Sequence, residues 1–358
     1  MTNIFLFPGS LNAGGIEKHN YHLLLHLDRS RFKVFLGLFS NSSNNFGELP
    51  GDIEVLTLPM DYSEASRLIV PFFKEKRIQI AYSCAFETSM PLLLAKLKGA
   101  RFRLVLGRRG FMAYSGKRQL FDKLFQLYAQ KVLCNSHRVK KSLSFIGKRK
   151  AVVVYNTLDE SFVSDKTRQD LRSELGLMPE DYVIGTVGRL CEDKGQRYLI
   201  EAFKDLHREH PDIKLLLIGD GELHEELSAV VKDSNLTDKV IFAGNRVNGG
   251  DYIKAMDLFV LPSLTESMPN ALLEAMFLEK PSVSTKVGGV PEIMEHGKNG
   301  FLIERTGDAD SIKQVIDKII SGKSNTAQIA EQGRKTVLQK FSLPVNIKKL
   351  EDQFANVQ

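Results

Sequence analysis

Two cations stand five residues apart in the segment Gly188-Arg189-Leu190-Cys191-Glu192-Asp193-Lys194-Gly195. An apolar run at 182–187 precedes it, and a helical pattern from 195 to 208 follows. At the end of a strand, a planar arginine fork and a lysine point charge on one tight loop can both reach a single diphosphate. The N-terminus of the following helix adds its own positive potential. The plain alternative is a solvated turn with ordinary surface charges.

A second constellation is Glu266-Ser267-Met268-Pro269-Asn270-Ala271-Leu272-Leu273-Glu274. Ser267 and Pro269 suit a helix start. The helix expected over 270–278 is apolar on nearly every side, the mark of a buried helix. Glu274 in its middle is then a carboxylate with little water, which costs several kcal/mol unless paired or hydrogen-bonded. A ribose diol is one fitting partner, since two hydroxyls can donate to one carboxylate. Backbone amides are another. Glu266, just ahead of the helix, faces whatever lies beyond the phosphates. A third feature, Gly14-Gly15-Ile16-Glu17, lets backbone approach a ligand at a helix N-terminus. The spacing of Gly9, Gly14 and Gly15 is not that of a dinucleotide fingerprint. A tight turn is the alternative there.

These segments need a scaffold that delivers loops to one edge, and the rest of the chain supplies that pattern. Short apolar runs at 3–8, 33–39, 53–58, 78–82, 102–106, 131–134 and 151–155 alternate with helical stretches, the first at 16–27. The same order restarts at 182–187 and continues at 213–218, 240–242, 258–261 and 282–284, with helices expected over 195–208, 222–231, 270–278 and 310–320. Such alternation predicts parallel sheets wrapped by helices, with ligands outside the carboxyl ends of the strands. The 358 residues exceed one ordinary core. We expect a domain of residues 1–160 and another of 161–358, with the last residues, about 341–358, packing back on the first.

Apolar residues make up 43% and charged residues 26%, values of a globular chain. Cys84, Cys134 and Cys191 form neither a disulfide framework nor a zinc pattern, which points to a reducing, cytoplasmic setting. No run approaches the roughly 20 apolar residues of a membrane span. The charge is lopsided: residues 1–160 hold 24 Lys and Arg against 12 Asp and Glu, the remainder 25 against 31. A basic first half suggests an anionic partner.

Taken in order along the chain, these motifs resemble the family 4 retaining glycosyltransferases of GT-B fold. Gly14-Gly15-Ile16-Glu17 is similar to that family's N-terminal glycine loop, and Asn156-Thr157-Leu158-Asp159 to its interdomain turn. Gly188-Arg189 with Lys194-Gly195 resembles its phosphate-binding signature, and Gly219-Asp220-Gly221 its next glycine turn. Glu266 and Glu274 match its Glu-x7-Glu motif, and Gly288-Gly289-Val290-Pro291-Glu292 and Asn299-Gly300-Phe301-Leu302 look like the segments that follow. The resemblance implies two Rossmann-like doubly wound α/β domains facing across a cleft, and transfer of a sugar from a nucleotide diphosphate sugar, UDP-linked by preference, with retention. It implies that Gly188, Arg189 and Lys194 hold the diphosphate and stabilise the leaving nucleotide. Glu266, Pro269 and the backbone N–H groups of Ser267, Met268 and Asn270 would hold the donor sugar, and Glu274 the ribose. Gly14 and Gly15 would close on the phosphates. Placed cations lower the barrier as the leaving group gains charge, so neither a metal nor a cofactor is expected. Asp308 and Asp310, flanking an alanine, read as helix capping.

One departure stands out. Where many relatives carry a histidine after the strand ending near 106, this chain reads Gly107-Arg108-Arg109-Gly110, and Arg108 and Arg109 are the acceptor-side candidates. The other histidines do not fill that gap, and His137 reads as a surface residue. Two basic stretches, 96–118 with Phe111, Met112 and Tyr114, and 138–150 with Leu143, Phe145 and Ile146, mix cations with apolar residues. They predict peripheral contact with the inner, anionic face of a membrane and a glycan or lipid-linked acceptor in surface polysaccharide or lipopolysaccharide assembly. The rival readings are a nucleotide-sugar epimerase of the same fold, which would need carboxylates and a histidine clustered at the sugar, and a basic nucleic-acid-binding protein. No zinc or RNP-like pattern accompanies the charge, so no nucleic-acid partner is expected.

Overall fold

The computed structural model describes the chain except Ala13, Ser43, Asn45, Phe46, Met112, Ala113, Tyr114, Val247 and Gln358. It divides into two compact units, Met1–Thr157 with Leu343–Gln358, and Leu158–Ser342.

The first unit is built on strands β1 (Thr2–Gly9), β2 (Phe32–Phe39), β3 (Glu54–Leu58), β4 (Ile80–Ser83), β5 (Arg103–Arg108), β6 (Lys131–Cys134) and β7 (Ala151–Val153). They form one sheet in the order β3-β2-β1-β4-β5-β6-β7, with parallel pairing throughout. Helices cover both faces, which is why the strands read as apolar runs rather than as alternations. Strand β1 shows the arrangement. Phe5 and Phe7 point into a cluster with Phe35, Phe39 and Phe73. Ile4 and Leu6 point the other way, into a cluster with Leu23, Leu24 and Phe32.

That second cluster also holds Ile347, Leu350 and Phe354 of the terminal helix Leu343–Ala355. Its Glu351 accepts from the Asp28 amide at 2.7 Å and pairs with Arg31 at 3.0 Å. Strand β5 runs two residues past the expected end, so Arg108 lies in the strand, in register with Cys134, and not in the loop.

The second unit carries β8 (Tyr182–Val187), β9 (Ile213–Ile218), β10 (Val240–Gly244), β11 (Leu258–Leu261), β12 (Ser282–Thr285) and β13 (Phe301–Ile303) in the parallel order β10-β9-β8-β11-β12-β13. Strand β13 was not expected. Three residues are too few to show a period, and its pairing with β12 supplies what the local sequence lacks. The helix Thr326–Lys340 was also not anticipated; its buried face (Ala330, Gly333, Thr336, Val337) is small and mixed in polarity.

Candidate functional site

In the second unit, four loops at the carboxyl ends of β8, β9, β11 and β12 converge. The loop after β8 is stitched to the loop after β9, with Gly188 N donating to Ile218 O, Leu190 N to Asp220 O and Leu223 N to Leu190 O, at 2.9, 3.0 and 3.1 Å. A Cβ on Gly219 would stand 2.1 Å from Gly188 O, so the second glycine turn exists to let the first loop pass. A short 3-10 turn, Glu192–Lys194, then ends at Gly195. Gly195 has φ +64°, and a Cβ there would meet Pro262 O at 2.3 Å. Only glycine fits that left-handed, crowded position. The helix Gln196–Glu209 starts from it, and Leu264 N donates to Asp193 O at 2.8 Å, joining the loop after β11.

This stitching brings together two residues separated by 72 positions: Lys194 Nζ lies 2.6 Å from Glu266 Oε1. Ser263 Oγ donates to the same oxygen at 2.9 Å. The glutamate side chain is 8% exposed and the lysine's 30%, so the pair sits at the mouth of the loops with the lysine outermost. The loop after β12 closes the group. Gly289 N approaches Glu266 O at 3.3 Å, and a Cβ on Gly288, at φ +53°, would stand 1.4 Å from that carbonyl oxygen. Arg189 is exposed on the same loop as Lys194. A hydrogen bond with the Cys191 side chain, and then the nearby charges of Cys191 and Glu222, raise its already high pKa.

Glu274 is buried in the helix Asn270–Phe277, among Leu272, Leu273, Ala275, Met276 and Phe277. Its carboxylate lies against Gly250, where a Cβ would come within 2.4 Å of Oε2. The N-cap of this helix is Pro269, with no side-chain cap bond. Ser267, expected to help start the helix, lies outside it, and Met268 and Pro269 are buried while Asn270 is its first residue. Asp308 does cap, accepting from the amides of Asp310 and Ser311 at 3.0 and 3.3 Å.

In the first unit, Gly14 is the N-cap of the helix Gly15–His26, and both glycines are exposed. Glu17 folds back over them, its Oε2 2.2 Å from where a Gly14 Cβ would stand. A carboxylate at a helix N-terminus is where the helix dipole favours negative charge.

Arg108 and Arg109, the acceptor-side candidates, are both buried within the first unit. Arg108 is 2% exposed and donates to Asp122 at 2.5 Å, inside the unit. Arg109 is buried among His19, Tyr82, Val154 O and Asn156, with Nη2 2.6 Å from His19 Nε2. Both guanidiniums are spent on the first unit's own polar core. His19 loses basicity through burial first, then through the charges of Arg109 and His22. This cluster escaped the sequence reading. The available signal was His19 and His22 three apart on one helix, hence on one face with the apolar residues. His137 is exposed, as expected. The chain leaves the first unit at Thr157, whose hydroxyl lies 3.3 Å from His22 Nδ1, and enters the second at Leu158.

Residues 167–336 match the family model described as Glycosyl transferases group 1, a span that includes Arg189, Lys194, Glu266 and Glu274. That stretch of the chain is similar to the group 1 glycosyl transferases. Among curated relatives, the capsular polysaccharide biosynthesis glycosyltransferase CapM of Staphylococcus aureus is 27% identical over 328 residues, covering 84% of this chain and 82% of its own. The UDP-Gal:alpha-D-GlcNAc-diphosphoundecaprenol alpha-1,3-galactosyltransferase of Escherichia coli is 29% identical over 301 residues, covering 79% and 77%. Among solved structures, HepE of Anabaena in complex with UDP superposes with a TM-score of 0.84 at 23% identity, covering 99% of this chain and 100% of that one. The fold is GT-B. No helix among the described residues is long and apolar enough to cross a membrane.

Proposed function

We propose that this glycosyltransferase takes its sugar from a nucleotide diphosphate sugar, a UDP-sugar by preference, and transfers it with retention and without a metal. The acceptor is a glycan or lipid-linked intermediate of surface polysaccharide or lipopolysaccharide assembly. The observation that carries the reading is the Lys194–Glu266 pair, held by four strand-end loops beside the exposed Arg189. An incoming diphosphate gives Lys194 and Arg189 a common partner, and a charge-assisted bond to Lys194 leaves the Glu266 carboxylate to accept from sugar hydroxyls. As the leaving nucleotide gains charge, both cations stabilise it. Glu274, buried one helical stretch on, is the acceptor for the ribose hydroxyls. The backbone N–H groups of Ser267, Met268 and Asn270 face the sugar. The family match supports transfer over epimerisation or nucleic-acid binding, and HepE, whose complex holds UDP, supports the choice of nucleotide.

A panel of nucleotide sugars tests this. The true donor raises the melting temperature by mass action, about 2.7 kcal/mol of stabilisation at a hundredfold excess over Kd. Both this protection and transfer persist in excess EDTA. Loss of transfer in EDTA, restored by Mg²⁺ or Mn²⁺, contradicts the metal-independent mechanism.

The lipid-linked half of the reading rests on the surface of the first unit. Residues 101–150 hold 14 Lys and Arg and one carboxylate, Asp122, which is already bonded to Arg108. On the helices Gly116–Tyr128 and Phe145–Lys150, Leu120, Leu127, Phe145 and Ile146 are exposed, Phe145 at 74%. Lys117, Lys123, Lys148 and Arg149 share those helices. Cations beside exposed apolar side chains suit an anionic bilayer surface. Several cations of the two basic stretches are structural instead. Lys150 Nζ caps the carbonyls of Gln126, Leu127 and Ala129, and Lys96, Lys98, Arg103 and Lys140 bond to Phe102, Ser66, Val357 and Ala151. Met112 and Tyr114 lie outside the described residues. Sedimentation with anionic vesicles should pellet the protein, zwitterionic vesicles should not, and Phe145→Glu with Lys148→Glu and Arg149→Glu should abolish the effect. If anionic vesicles fail to pellet the protein at low salt, where attraction is strongest, the membrane contact is wrong.

A further inference from the structure

The first unit has a cavity of about 310 Å³ lined by none of the residues so far assigned to donor chemistry, with Glu17 of the glycine loop in its wall. Its walls come from the end of β1 and the loop after it (Gly9, Ser10, Asn12), from the end of β2 and the segments following β2 and β3 (Phe39, Asn41, Met60), and from the start of the helix Phe86–Leu97 (Glu87). In the sheet order, β1 lies between β2 and β4, so successive connections leave it in opposite directions. That is the switch point of a doubly wound sheet, where its crevice forms.

The lining has a definite chemistry. Glu17 and Glu87 contribute two carboxylates, while Asn12, Asn41, Ser10 and Ser42 contribute amides and hydroxyls. Phe39 and the half-exposed Met60 give an apolar wall. Among the described residues lining it there is no lysine or arginine, although this half of the chain carries the excess of positive charge. Arg118 meets Glu87 at 3.6 Å but is not part of the lining. Carboxylates accept from hydroxyls and repel phosphate and carboxylate groups. The apolar wall suits the C–H face of a pyranose, and the volume is at the small end of ligand pockets, roughly 300–1,000 Å³.

We infer that this cavity binds the uncharged sugar unit of the acceptor, a neutral or N-acylated hexose, and excludes uronic acids and sugar phosphates there. The inference rests on the transferase reading for the word acceptor, but not for the binding itself. Glu17 and Glu87 are the specificity-determining residues, and any anionic part of the acceptor lies outside this cavity.

Saturation-transfer NMR on the full chain tests it. The probes are methyl hexopyranosides and methyl N-acetylhexosaminides on one side, and glucuronate and glucose 6-phosphate on the other. At least one neutral glycoside should give signal, and the anionic sugars should bind at least about tenfold more weakly. Asn41→Trp, at an exposed position, should fill the cavity and remove the signal. Glu87→Arg should shift the preference toward the anionic sugars. Equal binding of neutral and anionic sugars, no sugar binding at all, or binding that survives both variants overturns the proposal. Melting curves with UDP, GDP and ADP on the same samples separate the two readings. Nucleotide protection without sugar binding removes the cavity's role alone. Sugar binding without any nucleotide protection keeps the cavity and removes the transferase reading.

Discussion

Transfer by an Arg189→Ala variant falls by roughly thirty- to a thousandfold, the equivalent of about 2–4 kcal/mol of transition-state stabilisation, with no change in melting temperature. The side chain is exposed, and its partner is the neighbouring Cys191, so no core packing is lost with it. Arg189→Lys recovers part of the loss, because a point charge still meets the diphosphate while the planar fork does not. Lys194→Ala behaves differently. It removes the cation 2.6 Å from a glutamate that is 8% exposed, leaving that carboxylate oxygen with the Ser263 hydroxyl at 2.9 Å. Transfer falls by a similar factor, and the melting temperature falls as well, because an uncompensated buried charge is costly. Adding Glu266→Gln to Lys194→Ala restores the melting temperature but not the activity. Residues acting as one unit give such non-additive losses, so the double variant is about as inactive as its worse single. Steady-state kinetics and melting curves on these variants, with Glu266→Gln alone as the fifth, check this. Turnover within a few-fold of wild type in Arg189→Ala combined with Lys194→Ala removes the diphosphate assignment.

How far the sequence reached can be judged from the same residues. Strands at 131–134, 182–187, 213–218 and 258–261 read directly, because a strand covered on both faces is an unbroken apolar run with turn residues at its ends. Each site loop of the second unit was visible as a motif, since glycine, cation and carboxylate types are scarce enough at strand ends to stand out. Contacts between motifs were not legible. Nothing local tells that Lys194 and Glu266, 72 residues apart, share an ion pair. Nor does it tell that Glu17 turns back over its own glycines or that Glu274 rests on Gly250.

The burial of Arg108 and Arg109 was not legible for a related reason. A pair of arginines after a strand reads as surface, but two extra residues of β5 carry Arg108 inward to Asp122, and the polar face of the first helix takes Arg109. Burial of a charge depends on a partner far along the chain. Lys150 makes the same point on the basic surface, where a cation counted toward a membrane charge is a cap for three carbonyls.

Gly288→Ala is the substitution expected to do most damage for the fewest atoms. The residue has φ +53°, a region in which an alanine pays strain, and its new Cβ would fall 1.4 Å from Glu266 O. No side-chain rotation relieves that overlap, because the backbone fixes where the Cβ stands and the oxygen is a main-chain carbonyl. Either the loop after β12 swings out, losing the Gly289 amide's 3.3 Å approach to the same oxygen, or Glu266 is pushed toward Ser263 and Lys194. Strain of this kind costs on the order of 3 kcal/mol or more. In a unit of this size, about 1 kcal/mol shifts the midpoint by roughly 2–4 °C, so a fall of about 6–12 °C is expected in the second unit's transition. Activity should drop further than stability explains, measured at a temperature where the variant is fully folded, because a carboxylate moved by even about 1 Å no longer meets its partners. Gly244→Ala is the control. It too has a positive φ, +68°, but a Cβ there meets nothing within 4 Å, so it carries the conformational strain without the collision. A Gly288→Ala protein as stable and as active as Gly244→Ala would mean that the loop after β12 does not hold Glu266 in place.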